Sequence, residues 1–331
     1  MSSDALVPVA REGSLVASSL EQLRADSVNF AEAARSANTR RAYDADWRDF
    51  VGWCDVHALR AAPADDATVA LYLTAHAEAV SVATLGRRLA AIRAAHEALA
   101  LSPPVGRELS YVWRGIRRTM GRPPRAKRAL TTDDLRALLV ALPDNAIGVR
   151  DRALLLVGFA AALRRSELSA IHIEGETDAP IRLRIVSAGL QICLDRSKAD
   201  QEGHGANLAV PRGLSTSTCP VAALEAWLVL ARIDKGPVFR RVSAKGRVGT
   251  AALSPQMIAH IVKRAAMRAG YDPDCISGHS LRAGLATSAA AGDAPPDLIM
   301  RQMRHARFDT TRRYIRDADI FMRNAVSFTG L

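Results

Sequence analysis

Apolar positions recur at helical spacing through most of the chain. Tyr43, Trp47, Phe50, Val51 and Cys54 fall on one helical face, with Asn38 or Thr39 placed to cap the first turn. A second helix is expected over 66–80. A third follows Ser81, where Leu85, Leu89, Ile92 and Leu99 make one apolar stripe that also carries His96, read as a packed core residue. A fourth spans 107–120 and buries Leu109, Val112, Ile116 and Met120 while leaving its arginines outside. Residues 1–28 show no sustained period and read as a flexible arm.

After residue 130 the pattern changes. Thr131 or Thr132 can cap a helix over 135–142, and another covers 150–163. Within the latter, eleven apolar residues lie between Arg152 and Arg164, the longest such run in the chain. This is well short of the ~20 residues that cross a bilayer, so it reads as a buried helix. Residues 181–186 alternate apolar and basic side chains, 190–194 alternate again, and 207–210 form a shorter extended segment before Pro211. Helical spacing resumes over 220–232, 255–269, 280–291, 295–303 and 319–326. The fold class is therefore mainly α with a small antiparallel β-sheet.

Charge narrows the partner. Forty-five Lys and Arg against 34 Asp and Glu leave +11, which favours a polyanion, nucleic acid ahead of an acidic membrane surface. The 331 residues are enough for two domains. Residues 121–128 hold two prolines and four basic residues with no acid, and mark the boundary. The expected layout is an arm (1–28), a helical domain (29–120), a basic linker (121–130) and a larger α+β domain (131–331). From Tyr111 onward Arg114, Arg117, Arg118, Arg122, Arg125, Lys127 and Arg128 form an uncompensated positive stripe suited to phosphates. Cys54, Cys193, Cys219 and Cys275 lie too far apart to suggest a disulfide framework or a zinc site. The N-terminal stretch lacks a secretory pattern, so a cytoplasmic location is expected.

Several polar residues could do chemistry. Arg164 follows the longest apolar helix, where it can be held for bidentate phosphate contact or can simply cover helix-end carbonyls, with Ser166 as a possible cap and Glu167 in the next first turn. Lys198 sits near the tip of a polar turn, 195–205, joining two strands. His279 and Arg282 are three apart, a spacing that puts both on one helical face near a helix N-terminus. His305 and Tyr314 lie in an arginine-rich segment whose field favours a phenolate nucleophile.

Taken together, Arg164, Lys198, His279-x-x-Arg282, His305 and Tyr314 resemble the tyrosine recombinase, or phage integrase, family, with the layout of its Cre-like members. The motifs span 164–316, and the helical region with Tyr43 and Trp47 resembles the family's core-binding domain. Two motifs depart from the usual pattern, at three residues. Ala161-Ala162-Leu163-Arg164 stands where Thr-Gly-Leu-Arg is usual, and Arg304 replaces the common glycine before the last histidine.

The resemblance implies a site-specific recombinase that cleaves and rejoins DNA through a 3′-phosphotyrosyl bond. Tyr314 would be the nucleophile, Arg164 and Arg282 with His305 would hold the phosphate, Lys198 would be the general acid, and His279 would assist. Glu167 would orient His279 or an arginine. The scheme requires no cofactor, metal or ATP. It implies a C-shaped clamp on duplex DNA with a specific target site, Thr84, Arg87 and Arg88 as groove readers, and a homotetramer linked through the apolar C-terminal segment with Ile320, Phe321, Val326 and Phe328. No small-molecule substrate or membrane is implied. Two alternatives remain at this point: a catalytically silent DNA-binding protein of the same fold, and a type IB topoisomerase-like enzyme.

Overall fold

The computed structural model describes residues 20–33, 36–122, 127–175, 179–195, 205–319 and 329. The chain divides into two compact units, Met1–Pro124 and Arg125–Leu331. The first contains α1 (Leu20–Ala33), α2 (Ala37–Val56), α3 (Asp66–Ala75), α4 (Val82–Ala98) and α5 (Arg107–Met120). Helix α1 begins inside the stretch read as an arm. Its sequence is rich in Leu, Glu, Gln, Arg and Ala, which favour helix without an apolar period, and Leu20, Leu23 and Phe30 stay exposed.

Helix α2 is capped by Ser36, two or three residues earlier than expected, because the Ser36 hydroxyl accepts from the Thr39 N–H at 3.2 Å. Ser81 caps α4 in the same way through Thr84. Phe50, Cys54, Tyr72, Leu73, Leu85, Leu89, Ile92, Leu109 and Ile116 form the core. Leu99 does not join it; as the C-terminal cap of α4 it is exposed. His96 is fully buried with both ring nitrogens used: Nε2 accepts from the Ala64 N–H at 2.9 Å, so Nδ1 carries the proton toward the Ile92 carbonyl at 2.8 Å.

The second unit contains α6 (Thr132–Val140), α7 (Ala146–Ala160), α8 (Arg165–Ser169), β1 (Ile171–Ile173), β2 (Ile181–Val186), β3 (Gly189–Leu194), β4 (Ala206–Pro211), α9 (Pro220–Ala231), β5 (Arg240–Val242), β6 (Val248–Ala252), α10 (Pro255–Arg268), α11 (Ser280–Ala291), α12 (Pro296–Met303) and α13 (Phe308–Asp319). Strand order is β1-β2-β3-β4, with β5 and β6 forming a separate antiparallel pair. The first sheet is antiparallel from β2 to β4, but β1 adds a parallel edge. Thr131 caps α6 in a capping box with Asp134. The apolar run is buried apart from half-buried Ala160, from Ala153 to Phe159 within α7 and from Ala161 to Leu163 after it, so the helix ends three residues earlier than expected. The helix expected over 319–326 lies outside the described residues beyond Asp319, as do Ile320, Phe321, Val326 and Phe328.

The end of the basic segment is fixed to the second unit. Arg128 N–H donates to the Cys275 carbonyl at 2.8 Å and Leu130 N–H to the Ser280 carbonyl at 3.0 Å. Lys127 Nζ donates to the Asp274 carbonyl, and Arg128 pairs with Asp134 while lying over the Tyr271 ring. Residues 127–130, read as linker, are thus already part of this unit. Gly284 makes the contact possible, since a Cβ there would lie 1.7 Å from the Leu130 carbonyl oxygen. All four cysteines are free. No helix among the described residues is long and apolar enough to cross a membrane.

Candidate active site

Helix α7 ends in a turn whose carbonyls need partners. Gln302 Nε2 donates to the Ala160 carbonyl at 2.8 Å, and Arg282 Nη1 donates to the Ala162 carbonyl at 2.5 Å. Arg282 also donates through Nη2 to the Met303 carbonyl, the last residue of α12. One buried guanidinium on α11 therefore joins two helix ends. The carbonyl-covering role considered for Arg164 belongs to Arg282 and its neighbours instead.

Arg164 takes a different partner. Its residue is the N-cap of α8, so Ser166 lies within the helix rather than capping it. Glu167, one turn on, accepts from the Arg164 N–H at 2.8 Å through Oε2 and from Arg164 Nη1 at 2.7 Å through Oε1. Arg304 Nη2 reaches the same Oε2 at 2.8 Å. Burial pushes the Glu167 carboxyl up, but the Arg304 and Arg164 charges and the Arg164 N–H outweigh it and hold it below the usual carboxylate range. Glu167 thus orients two arginines, the second of the two options its position left open.

His305 follows Arg304 directly, and its Nδ1 lies 2.9 Å from Thr311 Oγ1 on α13. One turn along α13 from Thr311, the Tyr314 ring stacks on His305 with centroids 6.0 Å apart and planes 15° from parallel. Tyr314 and Ile315 also pack against Ala162, Ala286, Ala290, Ile299 and Met303. The structure therefore brings Arg164, Glu167, Arg282, His305 and Tyr314 together.

His279 is placed differently from the shared helical face expected. It is the N-cap of α11 and exposed, whereas Arg282 in the first turn is buried. The neighbouring Gly278 faces α8, since a Cβ there would lie 3.0 Å from Arg165 Cδ. Lys198 lies outside the described residues.

Two guanidinium groups, Arg164 and Arg304, hold the Glu167 carboxylate, and a third, Arg282, lies close enough to feel all three charges, so positive charge exceeds negative here. Burial, then the charges of Arg164 and Arg304, lower the Arg282 guanidinium to about 10, which leaves it charged at neutral pH. Burial and the charges of Arg282, Arg164 and Arg304 push His305 down to about 4, so its ring is neutral near pH 7. Between about pH 6.5 and about pH 4 the unfolded chain binds a proton that folded His305 does not, so stability falls as pH drops through that window. His305→Gln is expected to flatten this part of the stability profile. Urea melts at about pH 7 and about pH 5 check it, and an unchanged slope would show that His305 is not held neutral.

Arg304 entered the sequence reading only as a departure from the usual pattern, and Thr311 did not enter it. A charged residue in a slot that usually holds glycine was the available signal for Arg304. Among the described residues, no group of three or more His, Cys, Asp or Glu converges to hold a metal ion.

Comparison with known proteins decides the family. Residues 128–320 match the phage integrase family, and residues 30–101 match the phage integrase N-terminal SAM-like domain. The chain belongs to the phage integrase family of tyrosine recombinases. It is 36% identical over 312 residues to the integrase/recombinase xerD homolog of Selenomonas ruminantium, covering 93% of this chain and 89% of that one. In fold, this phage integrase family member is similar to a lambda integrase dimer bound to a COC′ core site, with TM-score 0.58 and 16% identity over 91% of this chain and 95% of that one. It is also similar to the XerH site-specific recombinase bound to palindromic difH substrate, with TM-score 0.56 and 17% identity over 81% and 73%. The tyrosine recombinase described here is an enzyme of site-specific DNA recombination, and neither the silent binder nor the topoisomerase-like alternative is favoured.

The residues considered for DNA contact in the first unit have varied surroundings. Arg87 is bidentate to buried Asp46, through Nε at 2.7 Å and Nη2 at 3.0 Å, with about half its side chain exposed. Arg88 is largely buried and donates to Tyr72 Oη at 2.9 Å while pairing with Asp49. That gives Arg88 a packing role absent from the groove-reader reading. Thr84 Oγ1 lies 3.0 Å from Ser81 Oγ, within the α4 cap. Arg114, Arg117, Arg118 and Arg122 are exposed, with Arg114 over the Tyr111 ring at 4.5 Å. Arg125 lies outside the described residues.

Proposed function

We propose that this recombinase cleaves duplex DNA at a specific target site by attack of Tyr314 Oη on the scissile phosphate. The Tyr314 oxygen forms a bond to phosphorus, the bond to the 5′-oxygen breaks, and the product is a 3′-phosphotyrosyl link with a free 5′-hydroxyl. A 5′-hydroxyl from a second strand then attacks that link, reforming a phosphodiester and releasing Tyr314. The phosphodiester energy is kept in the link, so the cycle is isoenergetic and runs without ATP.

The observation that carries this reading is the convergence of Arg164 and Arg282 beside the stacked pair His305 and Tyr314. Charge that builds on the non-bridging oxygens meets fixed guanidinium donors, whose own orientation is set by Glu167 and by two helix-end carbonyls. Neutral His305 can take part in removing the phenol proton. Lys198 protonates the leaving 5′-oxygen, and His279 at the α11 N-terminus adds a further phosphate contact.

Arg114, Arg117, Arg118 and Arg122, with Arg125, contact phosphates and supply affinity more than sequence choice. Lys127 and Arg128 contribute mainly positive potential, because their side chains already hold Asp274 and Asp134. Four copies act on two paired sites, and the protein works in the cytoplasm. The test is a duplex selected for binding from a randomised library and nicked near the cleavage position, so that the released end diffuses away. A covalent adduct that survives denaturant is expected; binding without any adduct removes the reading.

A further inference from the structure

Ala162 and Arg304, two of the three departures from the family pattern and the two that replace glycine, are 142 positions apart and meet in space. Both have left-handed backbone, φ +48° at Ala162 and +53° at Arg304. Glycine adopts that conformation without penalty, whereas a residue with a Cβ is strained there. The strain is retained at two positions that touch, where Arg304 Nη2 donates to the Ala162 carbonyl at 3.3 Å.

That carbonyl is the one holding Arg282, at 2.5 Å from Nη1. The same Arg304 Nη2 holds Glu167 Oε2 at 2.8 Å, while Glu167 Oε1 holds Arg164 Nη1 at 2.7 Å. Arg304 therefore touches both supports of the phosphate-binding arginines: the carboxylate that orients Arg164 and the carbonyl that anchors Arg282. Its side chain is 8% exposed, and its Nε and Nη1 atoms are buried without a partner in the protein. Burial lowers its guanidinium, and the Glu167 charge opposes that shift.

Carboxylates close bidentately on guanidinium groups when nothing prevents it. With Oε2 held by both the Arg164 N–H and Arg304 Nη2, Glu167 meets the Arg164 side chain through Oε1. Without Arg304, Oε2 keeps only the Arg164 N–H, and its second lone pair is released to turn toward the Arg164 guanidinium and occupy a donor that a phosphate needs. We propose that Arg304 is a positioning residue that keeps Arg164 and Arg282 open toward the scissile phosphate. This rests on the transesterification reading above.

The test compares wild type, Arg304→Gly and Arg304→Lys on the library-selected nicked duplex. Each variant is followed by single-turnover adduct formation on two versions of the substrate. One carries the natural phosphate at the cleavage position mapped with wild type, the other a methylphosphonate there. Arg304→Gly, which also relaxes the backbone, is expected to slow adduct formation on the phosphate by about 10–100-fold with binding unchanged. On the methylphosphonate, which lacks one anionic oxygen and leans less on the arginines, the penalty should shrink to about threefold or less. Arg304→Lys keeps a charge without the fork and should fall between.

Equal slowing on both substrates would mark a purely structural role and overturn the proposal, as would no slowing. If Arg304→Gly fails to melt cooperatively, the cycle of Arg304→Lys with Glu167→Gln decides. The lysine variant should add little once the carboxylate is neutral, and additive losses overturn the proposal. A wild-type protein that forms no adduct removes the transesterification reading and this inference with it. An active wild type with an unaffected Arg304→Gly removes this inference alone.

Discussion

Tyr314→Phe is expected to abolish covalent attachment to DNA while leaving DNA binding and folding intact. The substitution removes one hydroxyl and keeps the ring. That ring carries the stacking on His305 and the packing of α13 against Ala286, Ile299 and Met303, so the fold has no reason to change. On the proposed mechanism, binding draws on phosphate contacts spread over the basic surface, which the Tyr314 hydroxyl does not supply. Loss of an enzyme's sole nucleophile lowers its chemical step by about 10⁴-fold or more. Denaturing gels of the nicked duplex, beside mobility shifts on the intact one, separate the two effects. An adduct that persists in Tyr314→Phe would show that another side chain attacks.

Arg282→Lys is expected to lower the cleavage rate by about 10²–10³-fold and also to weaken the fold. The lysine keeps the charge, so net potential and DNA affinity should change little. Geometry is what it loses. Arg282 satisfies the Ala162 and Met303 carbonyls from a planar fork while presenting a cation to the site, and a single ammonium on a flexible stem cannot serve both carbonyls and a phosphate. The vacated helix-end carbonyl is buried, and a charged hydrogen bond of this kind is worth about 1.5–3 kcal/mol. Single-turnover cleavage and urea melts measure the two losses on the same preparation. A rate near wild type would place phosphate stabilisation elsewhere, and a lowered melt with an unchanged rate would make Arg282 a structural clamp only.

Helices with a clean apolar face were legible from residues alone. The α5 range matches the stretch from Arg107 to Met120, and α11 and β2 likewise match their expected bounds. Each has an uninterrupted period and a chemical stop. The short strands β1 and β5 offered too few positions to show alternation, and β6 is mostly exposed and carries no apolar alternation. Helix α13 was hidden by its own arginines: its packing face rests on Thr311, Tyr314 and Ile315, too narrow a signal among charges. In the candidate site, Arg164, Arg282, His305 and Tyr314 were singled out through an ordered resemblance, since each motif alone is common. Arg304 was not, because the direction of its side chain depends on a left-handed backbone that sequence periodicity does not report.

The attachment of residues 127–130 has a mechanical consequence. Leu130 is tied on one side by its N–H to the Ser280 carbonyl and lies with its own carbonyl against Gly284, so it straddles the first turn of α11. Arg282 sits between those two anchor points. Residues 128–130 and the helical turn that carries Arg282 therefore move as one piece, since neither can shift without stretching the Ser280 hydrogen bond or closing on Gly284.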